Sequence, residues 1–119
     1  MFTSGAAEPN ERARRILSAI APVLSRLPNR LTISGHTDGA TPGRGFNSNW
    51  ELSAARANAA RRLLQSAGVR GDQVYEVTGR ADSEPLFPDD PAMPGNRRIA
   101  ITLMREAPPL PGGGQALMP

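Results

Sequence analysis

"LTISGHTDGATPGRGFNSNWELSAARANAARRLLQSAGVRGDQVYEVTG", residues 31–79, decides the fold. Leu31 and Ile33 alternate with Thr32 and Ser34 up to Gly35, the pattern of a short, half-buried strand. From His36 to Asn47, Gly39, Pro42, Gly43 and Gly45 favour a loop. Ser48 then stands three residues before Glu51. This is the spacing of a capping box, in which a serine N-cap and a glutamate reaching back satisfy the first amides of a helix. The spacing predicts a helix over 49–67, with Leu52, Ala55, Ala59 and Leu63 as its apolar stripe and Gly68 as its stop. Residues 72–79, DQVYEVTG, follow as a second strand. A strand, helix, strand passage closes right-handed and leaves its two strands parallel.

Upstream, Ala13, Ile16, Leu17, Ile20, Leu24 and Leu27 recur at helical spacing, with Pro9 at a first-turn position and Glu11 near the positive helix end. Pro22 removes one backbone donor inside this pattern and is expected to kink or divide the helix, whose last turn closes before Pro28 and Asn29. Downstream, RRIAITLM (97–104) alternates as a third strand, free to pair antiparallel. The intervening SEPLFPDDPAMPGN (83–96) carries four prolines and reads as an irregular connection. A residual strand is expected around Phe2. The predicted class is α+β, a two-layer sandwich of a mixed β-sheet with helices on one face. One domain spans 1–104 with a truncated first strand, and the Pro/Gly-rich residues 105–119 form a disordered tail.

With 119 residues and 39% hydrophobic content there is room for one core, and no stretch approaches the roughly 18 uninterrupted apolar residues of a membrane span. The start, MFTSGAAEPNE, lacks the basic-then-apolar run of a signal peptide, which neither supports nor excludes export of a longer parent. The absence of cysteine excludes disulfides and Cys-type zinc sites. All fourteen basic residues are arginine; eleven acids hold the net charge to +3. That balance admits an anionic partner such as nucleic acid or a cell-wall polymer. Trp50, Tyr75 and the three phenylalanines are too scattered for stacking on nucleic acid, and no recognition-helix charge cluster is present.

His36 and Asp38 lie two apart, but with no second histidine and no cysteine a metal site lacks donors, and no nucleophile, base and orienter accompany them. No metal, cofactor or catalytic residue is expected. Asp38 before Gly39 is a natural Asx turn. Arg56, four residues after Leu52, has its base close to the apolar face and needs a carboxylate there, for which Asp38 at the mouth of the preceding strand is the topological neighbour. Two readings stay open. Asp38 and Arg56 form a private salt bridge, or they are held apart to meet a ligand that carries both an ammonium and a carboxylate.

ISGHTDG, then SNWELSAARANA, then GNRRIAI, in this order, resemble the OmpA-like peptidoglycan-binding domain, and NWELSAARA resembles the MotB-type flagellar stator branch in particular. The resemblance covers about residues 2–104. It implies that Asp38 and Arg56 hold the amine and carboxylate of diaminopimelate in the wall's peptide stem, with Thr37, Gly39, Asn49, Leu52, Arg97 and Arg98 in supporting or flanking positions. Further implications are a non-catalytic anchor in the periplasmic part of an inner-membrane protein, a homodimer, and a MotA-type membrane partner bound through regions outside this chain. An outer-membrane porin or lipoprotein anchor of the same fold is the alternative, and an Arg-rich nucleic-acid binder is a second. The chain departs from the family pattern at Gly79-Arg80-Ala81-Asp82, where Gly-Tyr-Gly-Glu is common, and in a connection before Arg97 that looks short.

Overall fold

The computed structural model describes residues 1–2, 6–40, 46–90 and 93–105. Helix α1 (Glu11–Ser25), strand β1 (Leu31–His36), helix α2 (Asn49–Ser66), strand β2 (Val74–Gly79) and strand β3 (Arg98–Leu103) follow in that order, with single 3-10 turns at Gly71–Gln73 and Pro94–Asn96. The sheet order is β2-β1-β3. β1 pairs parallel with β2 and antiparallel with β3, so the predicted mixed sheet is present.

Leu31 and Ile33 turn one sheet face toward the helices, where they join Leu17, Ala21, Ala57, Ala60, Leu64 and Val69 in a single buried cluster. Full burial of each large aliphatic side chain contributes about 1.5–3 kcal/mol. The other face is more polar: Thr32 lies opposite Thr102, Ser34 opposite Ala100, and His36 opposite Arg98. Two glycines let α2 sit close on the sheet. A Cβ on Gly35 would collide with the Ser53 carbonyl, and one on Gly79 would lie 2.5 Å from Ser53 Oγ and 2.6 Å from the Ala54 amide.

Leu52 and Ala59 of the predicted stripe are buried, but this close approach widens the buried face of the helix toward Ser53 and Ala57. The fully buried positions are Ser53, Arg56, Ala57, Ala60 and Leu64, while Ala55 and Leu63 are only partly covered. In α1 the cap is Asn10, whose Oδ1 accepts from the Ala13 amide at 2.8 Å, and Pro9 precedes it instead of occupying the first turn. Pro22 does not divide the helix. It lies on the exposed side of the helix, away from the core. Ile16 is exposed as well, and Ala13, Leu17 and Ala21 form the inner stripe.

Ser48 is the N-cap of α2 as predicted, accepting from the Glu51 amide, but Glu51 reaches back to the Ser48 hydroxyl instead of its backbone amide. Gly68, at φ 131°, ends the helix with the Val69 amide donating to the Leu64 carbonyl at 3.0 Å, a Schellman closure. No strand includes Met1 or Phe2; Phe2 is instead buried. Residues 106–119 of the predicted tail and 41–45 of the predicted loop lie outside the described residues.

Candidate functional site

Where β1 ends, the chain runs through His36, Thr37 and Asp38, all buried. The Thr37 amide donates to the carbonyl of Ala81, and the Arg80 amide donates to the carbonyl of Gly35, which ties this edge to the segment after β2. Ala81 takes φ 53°, a left-handed conformation that costs a non-glycine residue about 1–2 kcal/mol. It is held there by the hydrogen bond its backbone amide donates to Ser53 Oγ at 2.9 Å. The departure from the family pattern at residues 79–82 thus falls on a backbone position that secures Thr37.

Asp38 is fixed at both carboxylate oxygens. Oδ1 accepts from the Ala40 amide at 3.0 Å, the expected Asx turn, and Oδ2 accepts from Arg97 Nη1 at 2.7 Å. The ion pair is well covered, the two side chains being 15% and 8% exposed. Arg97 also donates from Nε to the Phe2 carbonyl at 2.6 Å.

Arg56 is fully buried. Its Nε donates to the Ala6 carbonyl at 2.7 Å, its Nη1 to the His36 carbonyl at 3.3 Å, and its guanidinium lies 4.7 Å from the centre of the Phe2 ring. Burial pulls its pKa down to about 10, opposed by the Asp38 charge and reinforced by Arg97. It remains cationic at neutral pH. The three ionic groups act on one another, but the carboxylate's ion pair is with Arg97, for which the resemblance implies a supporting or flanking position.

The remaining candidates divide into two groups. Asn49 is in the site wall: its Nδ2 donates to the Ala40 carbonyl at 3.0 Å and joins the start of α2 to the Asp38 turn. Thr37 contributes its amide, while its Oγ1 is buried with no hydrogen-bond partner among the described residues. Gly39 is exposed beside them. Leu52 is buried, outside the apolar cluster of the core. Arg98 lies opposite His36 in the ladder and donates from Nη2 to the Glu84 carbonyl at 2.9 Å. His36 approaches Ser34 Oγ through Nε2 at 3.3 Å, and burial followed by the Arg98 charge lowers its pKa. No group of three or more His, Cys, Asp or Glu side chains suited to a metal occurs among the described residues.

Phe2 and Ala6 are the contributors the sequence did not indicate. No periodic pattern surrounds them, and the NRR element was the only signal that pointed toward Arg97.

Residues 1–98 match the OmpA family. The chain belongs to that family. Motility protein B of Escherichia coli (strain K12) is 44% identical over 109 residues, covering 89% of this chain and 35% of that protein. The chain therefore spans little more than a third of that relative's length. Among solved structures, the C-terminal domain of Helicobacter pylori MotB superposes with a TM-score of 0.79 at 22% identity, covering 90% of this chain and 84% of that one. The cell wall anchor of the T6SS from Pseudomonas aeruginosa gives a TM-score of 0.72 at 29% identity, covering 89% and 76%. The two-helix, three-stranded arrangement is thus the OmpA-like fold of MotB.

Proposed function

We propose that this domain binds peptidoglycan without altering it and anchors a MotB-like flagellar stator unit to the cell wall. The ligand is the diaminopimelate of the peptide stem: Asp38 receives its ammonium, and Arg56 is matched to its carboxylate. The observation that carries this reading is the buried arrangement of Asp38, Arg56 and Arg97 where β1 ends beside α2, in a chain 44% identical to Motility protein B. Opposite charges fixed on one rigid edge suit a zwitterionic amino-acid terminus, and a guanidinium can hold a carboxylate through two hydrogen bonds. In the present arrangement Arg56 acts on the ligand through its field. A direct grip on the carboxylate requires Phe2 and Ala6 to give up their contacts with it.

The periplasmic setting, a homodimer and a MotA-type partner reached through regions outside this chain belong to the same proposal. The homodimer and the MotA-type partner rest on the resemblance to the MotB branch alone. The test is retention of the purified domain on sacculi, beside DNA, over a salt series. Binding to sacculi with no comparable retention on DNA is the expected result. Preference for DNA, falling steeply with salt as phosphate-driven binding does, would replace the anchor by a nucleic-acid binder.

A further inference from the structure

The cluster contains two guanidinium groups and one carboxylate, so it holds one net positive charge where the anchor reading needs a balanced pair. Arg97 is the more reachable of the two cations: its side chain is 15% exposed, whereas Arg56 is fully buried beneath Phe2. Arg97 uses Nε for the Phe2 carbonyl and Nη1 for Asp38, and its Nη2 makes no hydrogen bond among the described residues. A ligand whose ammonium meets Asp38 therefore also meets Arg97, which is rigidly held at both ends of its guanidinium.

We propose that Arg97 is a ligand-contacting, specificity-determining residue of this site, receiving a second carboxylate beside the zwitterionic terminus. The inference rests on the peptidoglycan reading and narrows it. The preferred stem is one that ends in the diamino acid, because its terminus presents two free carboxylates and one ammonium, the complement of one carboxylate and two guanidiniums. Loss of the second carboxylate to an amide or a further residue leaves the extra positive charge of the cluster unmatched by the ligand.

The test compares L-alanyl-γ-D-glutamyl-meso-diaminopimelate with the same tripeptide amidated at its C-terminal carboxyl, by calorimetry on this chain. The acid is expected to bind at least about tenfold more tightly, the effect of one charge-assisted hydrogen bond. In Arg97→Gln, shown to be folded by its melting curve, the ratio falls to near one, and Arg97→Lys restores most of it by returning the charge. A role in folding alone would not move this ratio. Equal binding of acid and amide by the unaltered protein overturns the inference, as does a folded Arg97→Gln that keeps the original ratio. If Arg97→Gln does not fold, the unaltered protein's ratio and that of Arg97→Lys decide. Binding of neither peptide removes the peptidoglycan reading itself, and this inference with it.

Discussion

Arg97 donates from Nη1 to Asp38 Oδ2 at 2.7 Å, joining residues 59 positions apart, one just before β3 and the other just after β1. The pairing follows from the sheet. His36 is opposite Arg98 in the antiparallel ladder, so the chain leaving β1 and the chain entering β3 run side by side just beyond it. Arg56 approaches from α2 and gives hydrogen bonds to the carbonyls of Ala6 and His36. Asp38 is thereby neutralised by one arginine and placed in the field of a second.

The cap of α2 is open to direct measurement. Ser48 Oγ accepts from the Glu51 amide and contacts the Glu51 carboxylate, both on the exposed side of the helix start. Ser48→Ala should lower stability by about 1 kcal/mol in urea melts, with the site unchanged. A loss near zero would remove the cap from the account of why α2 begins at Asn49.

Gly35 sets how closely α2 rests on the sheet. In Gly35→Ala the new methyl group meets the Ser53 carbonyl and stands 3.0 Å from the Ala57 amide, and neither backbone group can yield without moving the helix. The expected cost is about 3 kcal/mol or more. Thermal unfolding of the variant checks it, and a melting temperature close to that of the unaltered protein would show that the helix rides further from the sheet.

The parts of this fold that are local in origin were legible. Alternation at Leu31–Ser34, the Ser48 cap and Gly68 each act within a few residues, and together they fixed a parallel strand, helix, strand unit. Only part of the α2 stripe was legible: Leu52 and Ala59 are buried as read, whereas the burial of Ser53 and Ala57 depends on Gly35 and Gly79 admitting them to the sheet, a contact between distant elements. The site divided in the same way. Asp38 announced its turn through Gly39, but its choice of Arg97 over Arg56 depends on strand pairing, and the cover of Arg56 by Phe2 depends on how the chain enters α1.

His36 gives the domain an acid-sensitive element. Burial and the Arg98 charge, with Arg80 adding to them and Glu84 opposing, hold its pKa below the ordinary 6.5. The unfolded chain therefore takes up this proton more readily than the folded one. The stability that neutral His36 contributes is complete above pH about 6.5 and is lost as the pH falls below it toward the folded-state pKa. Melting temperatures should drop between pH 7.5 and 5.5 by more in the unaltered protein than in His36→Gln, which has no such proton to bind. Parallel declines in the two proteins would assign the acid sensitivity to other groups.

Asp38 and Arg56 are separated as binding and folding residues by measuring two properties on the same samples. Arg56→Ala empties a buried position, leaves the Ala6 and His36 carbonyls without this donor and removes the cation beneath the Phe2 ring, so it should cost about 3 kcal/mol or more. Its failure to bind sacculi would then follow from unfolding. Asp38→Asn keeps the shape and can still accept from Arg97, so its cost should be smaller, about 2 kcal/mol after allowance for partial exposure. It removes the one negative charge available to an ammonium. At a temperature where Asp38→Asn remains folded, retention on sacculi should fall to background. Full retention by the folded variant would sink Asp38 as the ammonium site, and with it the proposed mode of anchoring.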